Sequence, residues 1–595
     1  MILALALAAA QYPVVSLNVD AREITRGLYR VHEHFRVKPG PLTIWFPNWI
    51  PGGHSQGHPI NNVIDFKATA DGKRRLAWKR DLVEMSQFTL NIPKGAKEID
   101  LDFTIDDQGG SALLSRVDWL GLLWYPAGPS DAITFQAQLQ MPEGWHVATA
   151  LPIESEGNDR VIFKPASLTR LIDSPAEIGE HFQRYDVTGT SSVKHYFDVM
   201  ADTEEATHPP QKVLDCLRRT HEEMEAITGA HHYRDYHWLY TQSDKGAFDG
   251  LEHHESSEDG TGMDGYKNFE DLADLLCHEY FHSYNGKFRR PIGLCTPDYQ
   301  KPMKDDLLWV YEGLTQFMGH LLSCRAGWWT QEQWREQMAL NYIEMNGHEG
   351  RTWRPLEDTA AGIPSGGGRG GWSSAHRTQD YYVEMTIIWL EVDMTIRRLT
   401  HGAKSLMDFE RLFYGGPSHG PELKPYTFED LCAALNKVAK YDWAGLLRTR
   451  VYDLQPVLSQ RGFELAGWHI VYNDTPNIMM GKMYGSKGGI LLATSIGAMV
   501  SGDGTFTDVI PGMAVDKAGI SPNMKITSLN GEKYSDEAMK NAVQAGGTIK
   551  LTVTYKDEPR NVEIEYAGGL RWPHLERLPG TPDRLPDLLR PLAKD

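Results

Sequence analysis

Hydrophobic patterning changes character along the chain and divides it. From residue 12 to about 185, apolar and polar positions alternate in short runs. Leu42-Thr43-Ile44-Trp45-Phe46 and Ile99-Asp100-Leu101-Asp102-Phe103-Thr104 are examples, and Gly, Pro and Asp separate them. A period of two between turn residues predicts strands with one buried face, hence a β-rich N-terminal domain at 12–185. From 186 to 330 the pattern is mixed: Pro210 to Thr228 has helical spacing and Tyr236 to Thr241 reads as a strand. Asn268 to Tyr284 predicts a helix, with Asn268 as N-cap, Glu270 and Asp271 at its positive end, and an apolar stripe of Leu272, Leu275, Leu276 and Phe281. A second helix is predicted over Asp305 to Phe317, started by aspartates, with Leu308, Thr315 and either Tyr311 or Glu312 on one face.

Residues 331–475 read as helical, with apolar helical spacing in Leu340 to Met345 and Thr386 to Leu399. Between these stretches lies the glycine-rich Ala361 to Gly371, which follows no strand and lacks a Lys-Ser/Thr ending, so it is a loop and not a phosphate cradle. Over 478–568, a strand, a short helix, a strand and an Asn530-Gly531 hairpin define a further unit. The proline-rich 569–595 predicts an irregular tail. A chain of 595 residues exceeds one core, and these shifts make it a multidomain α+β protein.

Composition narrows the function classes. Hydrophobic residues at 41% and charged residues at 23% are ordinary for a globular protein, and the net charge of −19, with no Lys/Arg cluster, argues against a nucleic-acid partner. The opening MILALALAAAQ (1–11) reads as the remnant of a signal peptide ending in a small-residue run, which predicts export to a periplasm. No later run approaches a membrane span, so no transmembrane segment is expected. Five cysteines, an odd and scattered set, make no disulfide framework or metal motif.

The chemistry concentrates in His278-Glu279-Tyr280-Phe281-His282. Residues four apart share a helix face, so both imidazoles can address one metal ion, with Glu279 within reach of water at that metal as general base. A catalytic zinc takes a third protein ligand. Glu312 is the best candidate, because a carboxylate in an apolar helix needs a partner, either a metal or a buried arginine. His32 and His34 share a strand face, which reads as solvated in preference to a metal site.

HEYFH followed by a helix of the WVYEGLTQF type resembles the gluzincin metallopeptidases. More narrowly, the chain resembles the glycyl aminopeptidase family, peptidase family M61. The resemblance implies a thermolysin-like catalytic domain at 186–330, a helical domain at 331–475 that completes the active site, and a PDZ domain at 478–568. It implies one zinc ion held by His278, His282 and Glu312. The segment Trp45 to Gly53 resembles the family's W-x-P-G signature. Asp249-Gly250-Leu251-Glu252-His253 resembles the segment that, in related gluzincin aminopeptidases, lies on an edge strand beside the substrate. Gly250 would then line the substrate and Glu252 would bind its free α-ammonium, while His253 and His254 line the site at most. Tyr382, with Tyr381 as runner-up, aligns with the oxyanion-donating tyrosine, although Glu384 and Met385 stand where Lys and Gly would be. The implied activity is zinc-dependent removal of N-terminal residues from peptides, with a preference for Gly or Ala. The PDZ groove, starting near Ser495-Ile496-Gly497-Ala498, would take a peptide C terminus. Two alternatives remain open: a PDZ-containing zinc endopeptidase of exported-protein quality control, and a non-catalytic PDZ adaptor.

Overall fold

The computed structural model describes residues 12–57, 59–106, 109–246, 249–365, 371–481 and 488–593; the predicted signal segment 1–11 and part of the glycine-rich loop lie outside them. Strict alternation produces strands as expected: Glu98–Asp106 buries every second residue, and the same holds for Val14–Asp20. These strands sit at the centre of a nine-stranded sheet. Val14–Asp20 pairs in parallel with Thr134–Gln140 and antiparallel with Leu28–Arg36. Its inner face packs on a second, four-stranded sheet containing Gly40–Trp45 and Gln87–Ile92. His32 and His34 point outward and pair with Asp102 and Asp100 at 2.8 and 2.9 Å, so that strand face is a charged outer surface.

The next unit is a five-stranded sheet in the order His181–Asp186, Lys194–Ala201, Asp235–Gln242, Ser256–Thr261, Asp249–Glu252. Its three inner strands run parallel and are buried nearly throughout, including Ser256–Thr261, whose SSEDGT sequence gives no apolar signal for burial. Asp249–Glu252 is the antiparallel edge. The helix Phe269–His282 packs against this sheet, Leu308–Arg325 packs on that helix, and Asp380–Leu399 lies across Leu308–Arg325. Close approach is set by glycines. A Cβ on Gly319 would press on the His278 backbone at 3.2 Å, and one on Gly313 would meet the Tyr381 carbonyl at 2.6 Å. The sheet and the helices beyond residue 331 share one hydrophobic core. No helix among the described residues is long and apolar enough to cross a membrane, and all five cysteines are free.

Three expectations are corrected. The helix carrying Glu312 begins at Leu308, so Asp305 and Asp306 precede its first turn; the Asp305 carbonyl accepts from Leu308 N at 3.0 Å, while its buried carboxylate has no hydrogen-bond partner among the described residues. The tail from 569 is not irregular: Trp572–Arg577 pairs antiparallel with Trp468–Asn473, and Leu585–Leu589 is helical with proline in its first turn. The segment Gly489–Tyr566, with its own apolar core, is therefore inserted between two paired strands. Within it, Ala498–Ser501 is flanked by Gly489–Leu492 and Phe506–Val509, so the strand following Ser495 offers no free edge to an added peptide.

The tail is pinned by one buried ion pair. Arg325 Nη1 donates to Glu223 at 2.9 Å while its other donors hold the Leu588 carbonyl, and Glu223 also accepts from the amides of Leu592 and Ala593 at 2.8 Å. Glu223→Ala would leave the guanidinium buried and unpaired, and is expected to cost about 3–5 kcal/mol in urea unfolding.

Candidate active site

The two-histidine pattern does what its spacing requires. His278 and His282 lie one turn apart on the Phe269–His282 helix, with their Nε2 atoms 3.0 Å from each other. Glu312 Oε2 lies 3.3 Å from His278 Nε2 and 3.2 Å from His282 Nε2. A tetrahedral zinc site with bonds of about 2.0–2.1 Å has ligand atoms about 3.3 Å apart, so the three donors stand at the right spacing for one such ion. Glu312 Oε2 is buried without a hydrogen-bond partner, as an atom awaiting a cation is. His282 Nδ1 donates to the Asn285 carbonyl at 2.9 Å, which leaves its Nε2 lone pair free for a metal. Two nitrogens and one carboxylate suit zinc. Burial opposes the charged form of Glu312, but His282, His278 and His54 outweigh it and hold the carboxyl well below the usual range.

Glu279 follows His278 and lies over the edge strand. A Cβ on Gly250 would collide with its carboxylate and with Leu275, so glycine at 250 is what lets strand and helix approach. Burial, then the charges of Glu252, Asp259 and Glu312, push the Glu279 carboxyl well up. Glu252 ends the same strand. It is buried, accepts a hydrogen bond from the Tyr311 hydroxyl, and has donor atoms of His282 and Glu312 within 4.8 Å. Burial raises it, but Lys287 and His282 prevail and keep it below its ordinary value.

Tyr382 opens the third helix. Its ring lies 6.0 Å from that of His278, and it lines a cavity of about 400 Å³ with Asp271, Asp274, Leu275, His278, Glu279 and Gln316. Tyr381 is buried beside it and does not line that cavity. Glu384, the departure from the resembled pattern, has a structural role: Arg351 and Arg377 hold it at 3.1 and 2.5 Å in a buried cluster below the start of this helix.

The site also contains a residue that no sequence motif indicated. His54, in the loop after Trp49-Ile50-Pro51-Gly52-Gly53, places Nε2 2.5 Å from Glu312 Oε1. Gly52 of the same loop, at φ +93°, lies against Glu252, where a Cβ would come within 2.8 Å of its carboxylate. The N-terminal domain therefore walls the site at its Glu252 end. His253 is not a metal ligand: it is buried between Asp173 at 3.4 Å and Glu258 at 3.1 Å. His254 turns to a different cavity, lined by Arg170, Arg234 and Glu255.

The fold and the donor set define a metallopeptidase, and comparison agrees. The chain matches the M61 glycyl aminopeptidase family over residues 271–388 and the peptidase M61 N-terminal domain over 16–180, so it carries both M61 domains and is a zinc metallopeptidase. Among solved structures it resembles an aminopeptidase N family protein from Idiomarina loihiensis, with a TM-score of 0.76 and 17% identity over 98% of this chain and 100% of that one, a likeness of fold. Weaker likenesses are to a mutant M1 zinc metallopeptidase from Deinococcus radiodurans (TM-score 0.44, 13% identity, 75% of this chain and 96% of that one) and to yeast LTA4 hydrolase in complex with bestatin (0.46, 11%, 75% and 68%). No curated protein matches the chain.

His253 makes the end of the edge strand sensitive to pH. Burial lowers its affinity for a proton, but Asp173 and Glu258 override this and raise it from 6.5 to about 9. A group raised on folding contributes stability that is present below the unfolded value and lost as pH climbs through the folded one. Unfolding free energy is expected to fall by about 3 kcal/mol between pH 6.5 and 9.5, and His253→Gln to remove that component of the profile.

Proposed function

We propose that the protein is a zinc aminopeptidase that cleaves the first peptide bond of peptides with a free N terminus, using one zinc ion held by His278, His282 and Glu312. Zinc, when bound, supplies a Lewis acid that polarises the scissile carbonyl and acidifies water. Glu279 takes the proton of the attacking water and returns it to the leaving amine, a task suited to a carboxylate whose proton affinity burial has raised. The Tyr382 hydroxyl donates to the carbonyl oxygen as negative charge develops there. Glu252 receives the α-ammonium, and Gly250 presents the edge strand to the substrate.

The observation that carries the aminopeptidase reading is the closed end of the site. Glu252 is buried, is held by Tyr311 and has Gly52 packed against its carboxylate. The open cavity lies on the other side, at His278, Glu279 and Tyr382. An internal stretch of peptide would have to run through the loop at Gly52, whereas a chain that begins at Glu252 need not. The crowding by this loop also favours a small first residue, Gly or Ala. We read Gly489–Tyr566 as a PDZ-type unit; a peptide C terminus would add along Gly489–Leu492, an edge strand of its sheet, instead of at Ser495–Ala498.

Aminoacyl-p-nitroanilides and their N-acetylated forms separate the readings. The free amines are expected to be hydrolysed in strong preference, and Glu252→Gln to lower kcat/KM for them by about 10–100-fold while leaving the blocked substrates unchanged. Equal cleavage of blocked and free substrates by the parent enzyme would favour the endopeptidase reading. Tyr382→Phe is expected to lower kcat by about 100-fold, or about 3 kcal/mol, with KM little changed.

A further inference from the structure

Glu312 is a buried carboxylate with two oxygens in different surroundings. Oε2 faces the paired imidazoles, and Oε1 is approached by His54 Nε2 at 2.5 Å. A carboxylate only accepts, so His54 must donate its Nε2 proton in this contact. Among the described residues its buried Nδ1 has no partner, and the bond to Glu312 is the one hydrogen bond of the ring. The ring is also packed edge-on against Tyr311, with centroids 5.4 Å apart and an interplanar angle of 85°.

The loop behind His54 is built to hold it there. The amides of Asn48 and Trp49 both donate to the Tyr299 carbonyl, at 3.1 and 2.9 Å, which ties the loop to the segment between the two helices that carry His278 and Glu312. Gly57 N closes the loop on the Asn48 carbonyl at 2.9 Å. His54 has φ +51°, in the left-handed region that few non-glycine residues adopt, histidine, asparagine and aspartate more often than the others. The backbone is therefore held in an uncommon state at the residue of this loop whose side chain reaches Glu312.

We propose that His54 is a positioning residue for Glu312, so that the metal site is completed across the boundary between the N-terminal and catalytic domains. By occupying Oε1, His54 turns the carboxylate so that Oε2 alone faces the imidazoles. That favours one-oxygen coordination and keeps a position free for water and substrate. The N-terminal domain then acts on metal affinity as well as on the shape of the site. The proposal rests on the reading of Glu312 as a zinc ligand, and the test separates the two.

The test is the zinc dissociation constant, measured by competition with a chromophoric chelator, beside urea unfolding of the zinc-free protein. His54→Asn suits the left-handed backbone but is too short to reach Glu312, whereas His54→Gln keeps an N–H donor of the right length. Zinc affinity is expected to fall about 10–100-fold in the Asn variant, with the zinc-free stability of the parent, and to recover most of that loss in the Gln variant. Parent-like affinity in His54→Asn, alongside weak binding in Glu312→Gln, overturns the role of His54 alone. Parent-like affinity in Glu312→Gln overturns the ligand reading beneath it. Equal weakening in both His54 variants, or weakening that tracks a loss of zinc-free stability, shows that the loop and not the hydrogen bond matters, and also overturns the proposal.

Discussion

The structure is organised around a concentration of buried like charge. Glu252, Glu279 and Glu312 are all almost fully removed from water, and they surround two imidazoles whose Nε2 atoms face each other. Two unit charges 4 Å apart repel by about 4 kcal/mol at an effective dielectric of 20. The repulsion shows in the carboxyls themselves: three histidines hold Glu312 well below the usual range, while burial and acidic neighbours drive Glu279 up against the weaker pull of Lys287. A divalent ion among His278, His282 and Glu312 offsets that repulsion at its centre, and the donor spacing fits one. The same crowding raises the proton affinity of Glu279, as a general base requires.

Bringing five such groups together requires elements to come closer than ordinary side chains allow. The solution recurs at four glycines. Gly319 and Gly313 let the Leu308–Arg325 helix close on its two neighbours, Gly250 lets the edge strand pass under Glu279, and Gly52 lets the N-terminal loop touch Glu252. Each contact lies where a methyl group would meet backbone or a functional carboxylate. These glycines belong to an N-terminal loop, an edge strand and a helix, so the site is a property of the assembled body and no single segment contains it.

This explains what was legible in the sequence. His278, Glu279 and His282 are related by helical spacing alone, so a local pattern reveals them. Glu312 could be found because a carboxylate inside an apolar helix demands a partner. His54 carries no such signal: its partner is 258 positions away, and what places it is a loop clamp to Tyr299 that only the fold creates. The Trp49-Ile50-Pro51-Gly52 signature marked the right loop without indicating its use. The tail was misread for a related reason. Prolines argue against regular structure locally, yet Pro573 is tolerated in the two-stranded pairing of Trp572–Arg577 with Trp468–Asn473, and Pro586 in the first turn of a helix where no amide is needed. The PDZ-type groove failed on strand order, which is long-range pairing that the local pattern cannot report.

The departure at Glu384 and Met385 has a physical meaning once the third helix is seen in place. A lysine at 384 would sit between Arg351 and Arg377, three cations in a buried space, and could not be accommodated. Glutamate instead pairs with both arginines, and Asp380, 3.0 Å from Arg377 at the start of the helix that carries Tyr382, supplies the second negative charge. Met385 packs where Gly313 leaves room for it, so the bulk added on one helix is matched by its absence on the other. Just before Arg377, the backbone of Ser374 donates to Asp508 of the inserted unit at 3.0 Å, so that unit braces the same helix start from outside. Glu384 is thus matched in charge by the arginines around it and Met385 in volume by Gly313, and the tyrosine faces the cavity beside His278 and Glu279. The position of Tyr382 therefore rests on the packing beneath it, which Glu384 and Met385 satisfy in place of the Lys and Gly of the resembled pattern.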